Sequence, residues 1–268
     1  MGNFYNCSGE KQNHLRLYSE RGLLSFLFHH VMLDDPGEVM NAAKNARGHA
    51  LCEMIAAPWT YHRIYTEFDL GAQGFGCPDG ALFVRSAESS IFVFIEAKAI
   101  PFDASFQDPS HVAASIENVD WDRIEMKSLV GENSFNTAIN GQLELKWRFV
   151  NALRARPANQ WLVTEQNCGV PMLLRQSDRF YWRRRLQPNA AKKGHWRRVE
   201  MGGDLRPLLE DLLAAQKFCL LCITADEKLP TKLSSVRLLM PDGTKMVDAP
   251  HHLFWLPLRF IEDRLHRQ

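Results

Sequence analysis

Asp79, Glu96 and Lys98 are the residues whose types and spacing best suit joint chemistry in this chain. Asp79 lies in the turn Pro78-Asp79-Gly80, and two apolar, strand-like runs follow at 81–84 and 91–95. The second run ends in Glu96-Ala97-Lys98. Side chains alternate along a strand, so Glu96 and Lys98 point one way and Ala97 the other. If the runs form a hairpin, Asp79 at the mouth of the first approaches Glu96 at the end of the second. Two carboxylates and an ammonium then share a small space. Such a cluster is costly unless a divalent cation joins it. Carboxylate oxygens with an incomplete water shell are what Mg²⁺ prefers, and Mn²⁺ is expected to substitute.

Pro78-Asp79 and Glu96-Ala97-Lys98 resemble the signature of the PD-(D/E)XK phosphodiesterase superfamily, the restriction-endonuclease-like nucleases. The resemblance implies that Asp79 and Glu96 hold Mg²⁺, helped by the Ala97 carbonyl, and that Lys98 orients or activates the attacking water. It also implies a phosphodiester hydrolysis in which the metal lowers the pKa of bound water and stabilises transition-state charge. The pieces recur elsewhere. Glu125-Met126-Lys127, Glu144-Leu145-Lys146 and Asp226-Glu227-Lys228 match (D/E)XK, and Pro241-Asp242-Gly243 repeats the first tripeptide. Context separates the first set, because only Glu96 directly follows a run of five apolar residues. The alternative is an ordinary turn plus a strand-end salt bridge.

Accessory positions follow from the same resemblance. Superfamily members often carry a Glu on the helix before the first strand, and Glu53 has that place, with Glu20 one helix earlier as competitor. A solvated helix face is the alternative for both. Some exonuclease-like members carry Gln and, four residues on, Tyr, on the helix after the lysine strand. Gln142 fits, but Lys146 stands where Tyr would be, a departure from the RecB-like branch. Gln142 and Lys146 share one helix face. They either contact a phosphate or face water.

A second feature is charge. Residues 179–198 contain eight Lys or Arg (Arg179, Arg183, Arg184, Arg185, Lys192, Lys193, Arg197, Arg198) and no acid. The rest of the chain has 24 bases against 31 acids, a net of −7, although the whole is near balance at +1. Phe180, Tyr181, Trp182 and Trp196 interleave with these bases. Arginine suits phosphate contacts and aromatics suit stacking on nucleotides, so this stretch is expected to hold a nucleic acid backbone. The alternative is a solvated β-hairpin with its aromatics turned to a core.

The elements that must position these residues are legible in outline. Residues 15–33 have helical spacing, with Leu23, Leu24, Leu27, Phe28 and Val31 on one face. Residues 38–56 read as a second helix, weakened by Gly48, and 61–70 as a strand. The hairpin comes next, then a polar stretch, 100–134, read as an insertion or mobile flap. A strong helix is expected over 136–155, strands over 160–164 and 218–224, hairpins over 171–199, and helices over 205–215 and 257–267. The order over 38–164 is the superfamily's core order. The expected class is α/β, a restriction-endonuclease-like core with helices flanking a mixed sheet and a β-rich C-terminal extension. The expected division is an N-terminal helical segment 1–37, the core 38–165 and a β-rich extension 166–268 that carries the basic hairpin and packs on the same core.

The 46% apolar and 24% charged content is that of a soluble globular chain. No apolar run approaches a membrane span. The N-terminus lacks a signal pattern, and Asn6 stands where myristoylation wants Ser or Thr, so a cytoplasmic protein is expected. The six cysteines suggest no disulfide framework. Cys219 and Cys222 form a CxxC inside an apolar run, which suits core residues better than a zinc or redox site. Together these features point to a Mg²⁺-dependent nuclease acting on DNA, with RNA not excluded and a homodimer possible. The competing readings are a silent nucleic-acid-binding or assembly subunit on the same fold, and an unrelated α/β protein in which Glu96 and Lys98 pair structurally.

Overall fold

The computed structural model describes residues 20–33, 35–66, 78–108, 112, 116, 119–121, 125–126, 138–155, 180–185, 195–200, 206–244 and 249–266. Six strands form one mixed sheet. In chain order they are β1 (Lys44–Asn45), β2 (Trp59–Thr66), β3 (Gly80–Ser86) and β4 (Ser90–Lys98), then Lys217–Thr224 and Leu253–Pro257. Two ribbons lie between these groups, β5 (Val119–Asp120) with β6 (Glu125–Met126) and β7 (Phe180–Arg185) with β8 (His195–Glu200). The last two sheet strands are therefore β9 and β10. Across the sheet the order is β1-β10-β9-β4-β3-β2. Strands β2, β3 and β4 form an antiparallel meander, while β4, β9 and β10 run parallel.

The expected hairpin is present. Strand β4 is apolar from Ile91 to Ile95 because both its faces are covered. Phe92 and Phe94 pack into one core, with the helix Ile139–Arg154. Ile91, Val93, Ile95 and Ala97 pack into the other, with the N-terminal helices. All of these side chains are essentially excluded from water. At about 25 cal/mol per Å² of apolar surface, each large one contributes roughly 2 kcal/mol. That makes β4 the buried centre of the sheet.

The helices in chain order are α1 (Glu20–Phe26), α2 (Gly37–Ala42), α3 (Phe102–Ser105), α4 (Ile139–Arg154), α5 (Arg206–Ala214) and α6 (Arg259–Leu265). Helices α3, α4 and α5 cover the Phe92 face. Helices α1, α2 and α6 cover the other, together with a π-helical turn, Leu27–Met32, that continues α1. Leu23, Leu24, Leu27 and Phe28 are buried as their spacing predicts. Parallel strands need a crossover, and α4 lies on the sheet between β4 and β9 in chain order. On the open edge, Tyr65 of β2 donates to Asp211 Oδ2 of α5 at 2.5 Å, and Arg63 donates to the same oxygen at 3.2 Å.

One expectation needs correction. The helix over 38–56 stops at Ala42. Asn45 Oδ1 accepts the backbone N–H groups of Arg47 and His49 at 2.9 and 3.0 Å, and Gly48 reverses the chain at φ 84°. That reversal is one a glycine makes without strain. The segment beyond 165 supplies strands of the same sheet. Strands β9 and β10 come from the segment assigned to an extension, yet β9 lies beside β4 in mid-sheet. The helix within 1–37 packs on the sheet. The strand expected over 160–164, Arg179, Lys192 and Lys193, and most of the polar stretch fall outside the described residues.

Candidate active site

Cross-strand register brings the acids together. Gly80 pairs with Ile95, so Asp79, one residue before β3, falls opposite Glu96. Asp79 Oδ2 accepts the Ala97 backbone N–H at 2.8 Å. Where β3 runs out, the side chain of Asp79 thus takes over an N–H of β4. Gly80 is required there for space. A Cβ on it would overlap the Phe28 ring, so only glycine lets the turn approach the N-terminal helix.

Glu96 has the same strand parity as Phe92 and Phe94, so its carboxylate points toward α4. It is 1% exposed. Its partner there is Lys146, whose ammonium forms an ion pair with Glu96 Oε1 and which is itself 2% exposed. Burial pushes the Glu96 carboxyl up to about 7; Lys146 pulls it down, Asp79 raises it further, and Lys98 lowers it. Lys98 sits half-buried at the strand end on the Glu96 face, opposite Thr224 of β9. A third carboxylate braces this end. Asp226 Oδ2 accepts from Thr224 Oγ1 and from the Phe102 N–H, both at 2.6 Å, tying the chain beyond β4 to that beyond β9.

Not every expected residue reaches the site. Glu53 lies on a short 3-10 turn, Leu51–Met54, and is exposed. Its carboxylate accepts the Ala50 N–H at 2.8 Å and contacts His49 Nδ1 at 3.0 Å, which hold it below the usual carboxylate range. The neighbouring Met54 carbonyl is gripped by Lys217, the first residue of β9, whereas Glu96 lies opposite Cys222. Five residues of strand separate those levels, roughly 16 Å. Gln142 is on α4, one turn before Lys146, and its Oε1 is buried with no hydrogen-bond partner among the described residues. Glu20 opens α1.

Sequence alone leaves Lys146 between a phosphate contact and a water-facing position, and the fold makes it neither. The signal available was its position inside a helix apolar on both sides, with Leu143, Leu145, Trp147 and Phe149 all buried. The recurring tripeptides separate cleanly. Asp242 is exposed and caps its own turn, accepting from the Thr244 N–H at 2.9 Å and Oγ1 at 2.7 Å. Glu144 pairs with Arg148 along α4 at 2.8 Å. Glu125 lies in the two-residue strand β6. Cys219 and Cys222 belong to opposite faces of β9, so the CxxC forms no joint site, and burial pushes both thiols up.

Asp79, Glu96 and the Ala97 carbonyl are hard oxygen donors of the kind Mg²⁺ takes, usually as one or two carboxylates completed by water. The donor set fits that ion in type. Among the described residues no group of three or more His, Cys, Asp or Glu is placed to hold a metal. In the basic segment, β7 pairs with β8 so that Arg183 falls opposite Arg197 and Trp182 opposite Arg198. No family model, curated protein or solved structure matches this chain.

Proposed function

We propose that this chain is a Mg²⁺-dependent nuclease that hydrolyses DNA phosphodiester bonds in the cytoplasm, on a restriction-endonuclease-like core. The observation that carries the reading is the Asp79 to Ala97 hydrogen bond at 2.8 Å, which ties the Asp79 carboxylate to the strand end where Glu96 and Lys98 flank Ala97. That is the arrangement the Pro-Asp and Glu-Ala-Lys signature anticipates. Mg²⁺ held by Asp79, Glu96 and the Ala97 carbonyl would stabilise charge on the phosphoryl oxygens and make bound water more acidic. Lys98 orients the water, and the bases of β7 and β8 hold the DNA backbone. The test is cleavage of plasmid and single-stranded DNA with Mg²⁺, Mn²⁺ or EDTA. The expected result is metal-dependent cutting, lost by at least about a hundredfold in Glu96→Ala and in Lys98→Ala. Cutting that survives both substitutions, or persists in EDTA, sinks the proposal.

One observation favours a second reading, a catalytically silent DNA-binding or assembly subunit. Lys146 already neutralises Glu96 inside the protein, as a structural ion pair does. Tight DNA binding with no cutting under any metal would select it. A homodimer is a further expectation for duplex cutting, to be read from the mass in solution.

A further inference from the structure

We propose that Lys146 is an internal counter-cation of this site, whose ammonium must leave the Glu96 carboxylate before a divalent cation can be held there. The inference rests on the reading of Asp79 and Glu96 as cation ligands.

Asp79, Glu96, Lys98 and Lys146 sum to zero formal charge when all are ionised, so the site is balanced without metal. A divalent cation added to that set leaves two uncompensated positive charges around Glu96, the least exposed acid among the described residues. Like charges so close in a water-poor site repel strongly. The competition is also for one group, since the Lys146 ammonium lies on the Glu96 carboxylate itself. Lys146 cannot withdraw by moving its backbone. Its neighbours Leu145 and Trp147 are buried in the core, and α4 runs on for two further turns. Any withdrawal must therefore come from the side chain. A lysine ammonium carries three donors and needs an acceptor wherever it goes. Gln142 supplies one. It is one helical turn away on the same face, and its Oε1 is buried and without a hydrogen-bond partner among the described residues. The displaced ammonium therefore passes from Glu96 to Gln142 Oε1.

Direct Mn²⁺ binding, followed by the electron paramagnetic resonance signal of free Mn²⁺, tests this without any turnover. Removing the competitor in Lys146→Met is expected to tighten Mn²⁺ binding about tenfold or more, within the usual range of couplings between sites. Gln142→Leu is expected to weaken it severalfold, and Glu96→Gln to abolish it. Lys146→Gln, checked for folding by circular dichroism, accompanies the Met variant because Met leaves Glu96 without a donor. In the wild type, ¹H–¹³C spectra of the lysine Cε groups are expected to show the Lys146 signal moving on Mg²⁺ addition. Equal or weaker Mn²⁺ binding in both Lys146 variants, with Glu96→Gln still inactive in binding, overturns this inference alone. So does a stationary Lys146 signal with Mg²⁺ bound. Failure of every form, wild type included, to bind Mn²⁺ overturns the ligand reading as well.

Discussion

Glu96 is held between two opposed forces, and its behaviour with pH reveals which prevails. Burial raises its carboxyl to about 7 from an ordinary 4.5, with Lys146 resisting. A carboxyl raised on folding keeps its proton in the folded chain at pH values where the unfolded chain has lost it. Its contribution to stability is therefore full below about pH 4.5 and is lost as pH rises through about 7. In EDTA, the stability of the wild type, read from denaturant unfolding, is expected to fall between about pH 5 and about pH 8 by up to about 3 kcal/mol more than that of Glu96→Gln. Parallel curves for the two proteins would mean that the ion pair with Lys146 holds Glu96 ionised throughout. At the same scale, Asp79→Ala removes the acceptor of the Ala97 N–H. It is expected to cost about 1–3 kcal/mol, and to abolish metal-dependent cleavage.

At the scale of elements, β4 both builds the core and carries the site. Its Phe94 touches Phe92 and Phe218 edge-to-face at 5.3 and 5.6 Å between centroids. Phe94→Ala is expected to cost about 3–5 kcal/mol, read from chemical denaturation. The turn before β3 is more specific. Gly80→Ala places a methyl group in the Phe28 ring. Overpacking of this kind costs about 1–3 kcal/mol, and here the strain falls one residue from Asp79. Gly80→Ala is therefore expected to reduce both stability and cleavage. Gly243→Ala, in the other tripeptide of the same composition, strains only an exposed turn at φ 84° and leaves cleavage unchanged. Equal effects at the two glycines would remove the distinction between the turns.

At the scale of the whole molecule, charge is distributed unevenly over a nearly neutral chain. The described part of the basic segment is a separate two-stranded ribbon whose register sets Arg183 against Arg197 and Arg185 against His195. Like charges directly opposite destabilise a strand pair, and a polyanion relieves that repulsion. Replacing Arg183 and Arg197 by Ala is expected to weaken DNA binding across sequences alike. The slope of log affinity against log salt should fall by about one for each phosphate that is no longer neutralised. An unchanged slope would remove the ribbon from the proposed interface. Among the described residues no helix is long and apolar enough to cross a membrane.

The sequence by itself determined the central hairpin, because two apolar runs separated by a short polar turn can bury both faces only as neighbouring strands. From that came the pairing of Asp79 with Glu96, a local consequence of register. The helix α4 and the strand β9 were legible for the same reason, long apolar patterns with clear ends. What lay beyond local pattern was decided by the tertiary structure. Glu53 sits on a stretch with helical spacing, but β1 pairs with β10 from the far end of the chain and turns it away. Strand β9 sits beside β4 although over a hundred residues separate them, and only packing of both sheet faces selects that neighbour. Lys146 is the clearest case. Its burial on Glu96 depends on which face of α4 meets the sheet, and charge in a sequence carries no record of the water a fold removes.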